Sequence, residues 1–179
     1  MTPTNAKPTT PMHDHKVTVI ASTPPRLASM TEIRQFTFCD LETNSKFKEL
    51  CDEYAVESSI EGMPPIDPHL PMYRQLEAAG VLHAFGAFSG DELVGFLLML
   101  ISPVPHYSAV VANTESFFVR DGHRKGGTGI RMLKMAEEHA KHLGAVGVFV
   151  SAPCEGRLSK AMPLFGYRKT NQVFFRKLA

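Results

Sequence analysis

Cysteine is scarce in this chain, and no apolar run is long enough to cross a membrane. Three cysteines, Cys39, Cys51 and Cys154, occur in 179 residues. Their odd number and irregular spacing exclude a disulfide framework and a thiolate metal site, and suit a reducing compartment. No stretch approaches the roughly 20 apolar residues of a bilayer span, and the opening residues carry no basic segment followed by an apolar one. Neither a membrane anchor nor a secretory leader is expected, and cytoplasm is the expected compartment. No basic stripe interleaves with aromatics, which argues against nucleic acid as a partner. Internal repeats and low-complexity runs are absent.

What is present suits one globular domain. Hydrophobic residues make up 44% of the chain and charged residues 21%, and the length supports one core but not two. Residues 1–16, rich in Thr and Pro, read as a disordered arm, in which His13 and His15 lack the further ligands that a metal would need. Residues 17–179 read as the domain. The net charge of +1 hides a split. Residues 31 to 70 hold Glu32, Asp40, Glu42, Glu49, Asp52, Glu53, Glu57, Glu61 and Asp67 against Arg34, Lys46 and Lys48. From residue 120 onward the balance is basic. A polyanionic ligand would favour the second half and a cationic amine the first, unless the charges merely solvate a mixed surface.

The most informative stretch runs from Glu115 to Gly144. An apolar strand ends near Val119, a basic glycine-rich turn spans Arg124 to Gly129, and an amphipathic helix closes at Gly144. Unpartnered N–H groups converge at such a helix start, the macrodipole adds positive potential, and the glycines let a ligand approach; a phosphate should bind there. A P-loop is excluded because Thr128 stands where its lysine must be. The dinucleotide fingerprint is excluded because Met132 occupies its third glycine position. An R-x-x-G-x-G pattern remains, carried by Arg124, Gly127 and Gly129.

This segment resembles the acetyl-CoA pyrophosphate loop of the GNAT superfamily of N-acetyltransferases. The likeness extends over roughly Leu82 to Leu178, with Phe117, Phe118, Val119 and Arg120 similar to that family's fourth strand. The resemblance implies an α/β (α+β) fold: a mixed, mainly antiparallel central sheet flanked by helices. It also implies acetyl-CoA as co-substrate and no metal. Backbone groups of Phe118, Val119 and Arg120 would pair with the pantetheine arm, and an N–H near Val119 would polarise the acetyl carbonyl. Arg124, Lys125, Gly126, Gly127, Thr128 and Gly129 would cradle the pyrophosphate.

The rest of the chain supports this architecture. Val17 to Ala21 is the expected first strand, ended by Pro24 and Pro25. Residues 26 to 80 are the least legible stretch, with helices expected over Ser45 to Val56 and Pro71 to Ala79 on apolar spacing and a proline-rich connection between them. Leu82 to Ser89 and Leu93 to Ile101 flank a Gly90-Asp91-Glu92 turn and form a hairpin. Ser102 to Tyr107 is a connection, and Ala109 to Arg120 is the next strand. The helix after the loop packs through Ile130, Leu133, Ala136, Ala140 and Leu143, with His139 and His142 near its C-terminus favouring the dipole. A buried strand over Ala145 to Ser151, a short helix from Glu155 to Met162 and a final strand or hairpin over Tyr167 to Leu178 complete the expectation.

Acyl transfer to an amine needs a base, because an alkylammonium of pKa about 10.4 is protonated at neutral pH. Glu115 is the candidate, the carboxylate inside an otherwise apolar strand. Alternation puts it on one face with Asn113, Phe117 and Val119; the competing role is a salt bridge. His106 and Tyr107 are runners-up, and His83 is structural. The family's usual tyrosine acid, four residues before a G-F or G-Y pair, falls on Met162 ahead of Gly166 and Tyr167. Solvent or Ser159 would then protonate the thiolate, if anything must. Cys154 reads as a packed thiol. The resulting expectation is an N-acetyltransferase moving acetyl from acetyl-CoA to a primary amine, on a small molecule, a lysine or a protein N-terminus. The alternatives are a non-catalytic acyl-CoA-binding regulatory module and a structural subunit of a homodimer.

Overall fold

A computed structural model describes residue 1 and residues 30 to 178. The expected arm beyond Met1, with His13 and His15, and the strand expected at Val17 to Ala21 lie outside the described residues. The described chain runs β1 (Glu32–Phe36), α1 (Phe38–Thr43), α2 (Phe47–Ser58), α3 (Leu70–Ala78), β2 (Leu82–Ser89), β3 (Glu92–Val104), β4 (Ala109–Val119), α4 (Thr128–His142), β5 (Val148–Phe149) and α5 (Arg157–Ala161), with short 3-10 turns between.

The sheet has spatial order β1-β2-β3-β4-β5. Its first four strands are antiparallel neighbours, and β5 joins β4 in parallel. The hairpin expected at Gly90 forms, because β-branched and aromatic residues on either side build two strands and Gly90 takes φ +63° at the turn. Gly95 lets β3 and β4 approach closely: a Cβ there would lie 2.8 Å from the Phe118 carbonyl oxygen.

Each face of the sheet carries a core. One holds Phe85, Leu97, Met99, Ala112 and Val119 against Met132, Leu133, Ala136 and Ala140 of α4. The other packs Leu82, Leu93, Phe96, Leu98 and Phe118 against Phe38, Leu41, Phe47 and Leu50 of α1 and α2. Each fully buried Leu, Met or Phe contributes roughly 1.5–3 kcal/mol, so these two layers fix the helices on the sheet. His83 and His139 meet where β2 and α4 pack, Nδ1 to Nε2 at 3.0 Å, and burial lowers the pKa of both.

α1 and β1 lie within the stretch that spacing left unread; α1 starts from a capping box in which Thr37 and Asp40 bond each other's backbone. Three expectations are corrected. On α4, Met132 takes the interior position while Leu143, the C-cap residue, is 46% exposed. The buried strand of Ala145 to Ser151 shrinks to Val148–Phe149 at the sheet edge, where Phe149 has one neighbouring strand and stays exposed. Tyr167 to Leu178 forms no regular element, since so short an edge strand offers no ladder to extend. Helices α2 and α3 lie where spacing placed them, within two residues.

Candidate active site

Between the end of β4 and the start of α4 the backbone turns through Gly126 and Gly127, with φ of +78° and +74°. Only glycine adopts this left-handed geometry without strain. Among the described residues, no backbone or side-chain acceptor takes the N–H groups of residues 125 to 130. The loop is held from outside. Arg131 donates to the carbonyls of Gly126 at 2.5 Å and Thr31 at 3.0 Å, and the buried Thr128 hydroxyl bonds that of Thr31 at 3.0 Å. Consecutive free donors at a tethered helix start can receive an anion. Gly129 sits close to β4, where a Cβ would lie 3.2 Å from Phe117 Cζ.

Beside the cradle the sheet opens. β4 and β5 pair only through Ala112 with Val148 and Asn113 with Phe149, and a last link runs from the Ser151 N–H to Thr114 Oγ1 at 3.0 Å. Toward Val119, no strand among the described residues pairs with the outer edge of β4. The Arg120 N–H donates to Val94 O at 2.9 Å. Hydrogen-bonded pairs alternate along an antiparallel ladder, so Phe118 and Arg120 turn their backbone groups toward β3, while Phe117 and Val119 turn theirs to the open edge. An extended ligand would therefore pair with Phe117 and Val119. Phe118 instead contributes a buried ring, packed against Tyr54 and Phe96.

The arginines are committed to the scaffold. Arg120 reaches Glu53 at 2.9 Å, Glu49 at 2.6 Å and Glu92 at 2.9 Å. Arg124 donates to Val119 O at 2.5 Å and to Glu57 at 2.5 Å, and lies over the Phe118 ring. Both guanidiniums thus clamp α2 to the end of β4, and Arg124 shapes the loop instead of reaching into it. Lys125 is exposed and takes part in no ion pair among the described residues, so its ammonium is available to an anion. The charge split also has a third meaning, since Glu49, Glu53 and Glu57 neutralise basic residues of the second half within the molecule.

Glu115 stands at a β-bulge. The register steps from Leu98 opposite Ser116 to Met99 opposite Thr114, which leaves Glu115 as the extra residue. The bulge resets the alternation, so the expectation that Glu115 shares a face with Phe117 and Val119 is overturned. Those two pack toward α4, whereas Glu115 projects with Phe118 toward α2 and α3. There it accepts a hydrogen bond from the Tyr73 hydroxyl at 2.7 Å. It is exposed, and no ion pair among the described residues includes it, so the salt-bridge alternative finds no support. Burial, then the bond to Glu115, raises the Tyr73 pKa; burial raises that of Tyr54 and, with Asp52 nearby, pushes the Cys51 thiol up to about 11.

Tyr73 went unread in the sequence, although Leu70, Tyr73 and Leu76 share the inward face of α3. Spacing had favoured Met72, which is 56% exposed. His106 and Tyr107 occupy the turn between β3 and β4, six or more strand residues from Glu115 and thus about 20 Å away. Met162 packs against the α4-side core. Cys154 is exposed, not packed, and Ser159 is exposed on α5. Among the described residues no group of three or more His, Cys, Asp or Glu could hold a metal ion.

Residues 47–164 match the sequence model of the acetyltransferase (GNAT) family. Solved structures with a similar fold include a ribosomal-protein-alanine N-acetyltransferase from Brucella melitensis biovar Abortus 2308, at TM-score 0.64 and 17% identity, covering 83% of this chain and 99% of that one. The aminoglycoside N-acetyltransferase AAC(6')-Iy in complex with CoA superposes at TM-score 0.65 and 24% identity, covering 85% and 96%. An aminoglycoside acetyltransferase from an uncultured soil metagenomic sample, in complex with sisomicin, superposes at 0.65 and 16%, covering 84% and 97%. No curated protein sequence matches.

Proposed function

Because this chain belongs to the GNAT family of acetyltransferases, we propose that it transfers acetyl from acetyl-CoA directly to a primary amine within the single domain of residues 17–179. The observation that carries this reading is the anchored run of free N–H donors at residues 125 to 130, set beside the open edge of β4. Backbone donors from Lys125 to Gly129 would hold the pyrophosphate, with the Lys125 ammonium beside them. Phe117 and Val119 would pair with the extended pantetheine arm, and the Val119 N–H would polarise the acetyl carbonyl. The bound thioester supplies an activated acetyl group.

Glu115 is the proposed base. The acceptor ammonium loses a proton to its carboxylate; the freed lone pair then forms the N–C bond as the C–S bond breaks, and sulfur leaves with the electron pair as a thiolate. No side-chain acid is assigned to that thiolate, since Met162 carries no proton to give and Tyr167 donates its hydroxyl to Glu137 on α4. Water carries the second nitrogen proton, released as the amide forms, to the thiolate, and Glu115 returns the first to solvent. Calorimetry with CoA and mass-spectrometric screening of amines and peptides with acetyl-CoA test the proposal. CoA binding together with a mass gain of one acetyl on an amine supports it. CoA binding with no transfer to any amine would favour a regulatory acyl-CoA-binding module, and no CoA binding would remove both.

A further inference from the structure

We infer that Tyr73 is a positioning residue for the acceptor amine, holding the Glu115 carboxylate in a fixed orientation where α3 meets the bulge of β4. The inference rests on the proposed acetyl transfer and deepens it. A carboxylate at a bulge on an exposed strand edge has no covalent reason to point one way. Its carboxyl group would sample several rotamers, and a base that wanders takes a proton inefficiently. The Tyr73 hydroxyl removes that freedom by donating to Oε1 at 2.7 Å. Tyr73 is itself fixed, its ring stacked on fully buried Phe38 at 5.0 Å and 29° between planes. The constraint therefore runs from the core, through a rigid aromatic pair, to the base.

The arrangement also defines what it accepts. With Oε1 engaged, Glu115 Oε2 and the remaining lone pairs of the Tyr73 hydroxyl both accept hydrogen bonds. An alkylammonium with two or more N–H groups can satisfy both acceptors while delivering one proton to Oε2; a tertiary ammonium, with one N–H, cannot. The side chains that face Glu115 are Tyr73 from α3 and Tyr54 and Cys51 from α2. Their upward-shifted pKa values keep them neutral near pH 7, so Glu115 supplies the charge that attracts the cation.

Tyr73→Phe is the test, because it keeps the ring on Phe38 and deletes only the hydroxyl. Losing the bond that orients the carboxylate should lower kcat about tenfold while leaving KM for the amine within about twofold, a split that a merely structural loss would not produce. CoA affinity by calorimetry should be unchanged. A variant with the wild-type kcat would overturn the inference while leaving acetyl transfer standing; wild-type protein that acetylates no amine would sink both. A second measurement needs no turnover. In a double-mutant cycle followed by Tm, the Tyr73→Phe and Glu115→Gln losses should be non-additive, and strictly additive losses would show that Tyr73 and Glu115 do not interact in solution.

Discussion

Replacing Gly127 with alanine separates the cradle from the rest of the molecule. The native φ of +74° lies in the left-handed region, and an added Cβ would stand 3.2 Å from Ile130 Cγ2, the end of a side chain that can give by a few tenths of an ångström. The strain is therefore mainly backbone strain, about 1–2 kcal/mol. That energy must surface somewhere. If the alanine keeps the native turn, it is subtracted from folding stability, and at about 2–4 °C per kcal/mol Tm falls by about 2–8 °C. If the loop relaxes to negative φ, stability is spared, but binding must restore the turn, and the CoA Kd rises about 5–30-fold. The second outcome is expected, because residues 125 to 127 precede the helix and, among the described residues, the Gly126 and Gly127 carbonyls are tethered only through Arg131. Paired differential scanning and titration calorimetry, with Gly80→Ala as control, decide it. Gly80 has φ +69°, no atom within 4 Å of an added Cβ, and a position at the corner between α3 and β2. It should lose stability and keep CoA affinity. A Gly127→Ala protein that matches wild type in both Tm and Kd would refute the reasoning, as would a Gly80 control that weakens CoA equally.

Glu115→Gln should retain CoA affinity and lose about 10²–10⁴-fold in kcat, the usual worth of a positioned base, in a steady-state assay of CoA release. Arg120→Met would leave Glu49, Glu53 and Glu92 facing one another; because they are 37–49% exposed and partly screened, a loss of about 2 kcal/mol is expected, or roughly 4–8 °C in Tm. The His83–His139 pair predicts a further pH dependence: burial lowers both pKa values in the folded state, so the unfolded chain binds protons first, and stability falls as pH drops below about 6.5 toward the folded-state values. Melting a His83→Leu/His139→Leu double variant at pH 7.5 and 5.5 should show a smaller Tm drop than wild type.

Periodicity made the chain legible wherever one element buries one continuous face. The β2–β3 hairpin, β4 and α4 were readable because alternation or three-four spacing in each meets a core along most of its length. It failed where burial comes from a distant partner. β1 reads Glu32-Ile33-Arg34-Gln35-Phe36, too polar to announce itself, and exists because β2 offers it an edge. α1 has six residues, too few for a repeat, and only its Thr37-x-x-Asp40 signature marks it. The apolar letters from Tyr167 to Leu178 read as a strand, but a strand needs a neighbour, and β5 is two residues long.

The site divides along the same line. Its backbone part was legible because glycine spacing and a helix start are local properties, and Gly126, Gly127 and Thr128 lie where the pattern put them. Its side-chain part was not, because a charge in sequence says nothing about its counter-charge. Arg124 looks like a phosphate ligand until Glu57 on α2 is seen to take it, and Arg120 is held in the same way by Glu49 and Glu53, at four-residue steps on that face. Glu115 is the sharpest case, since strict alternation would turn it toward α4. One extra residue in the strand reverses its face and brings it to Tyr73, 42 positions earlier in the chain. A bulge is invisible to a period-two reading because it is a mismatch between two strands, and only the partner's register reveals it. If that mismatch is what aims the base, deleting Glu115 should restore the ladder and shift no neighbour on the α4 side, leaving CoA binding intact while transfer disappears.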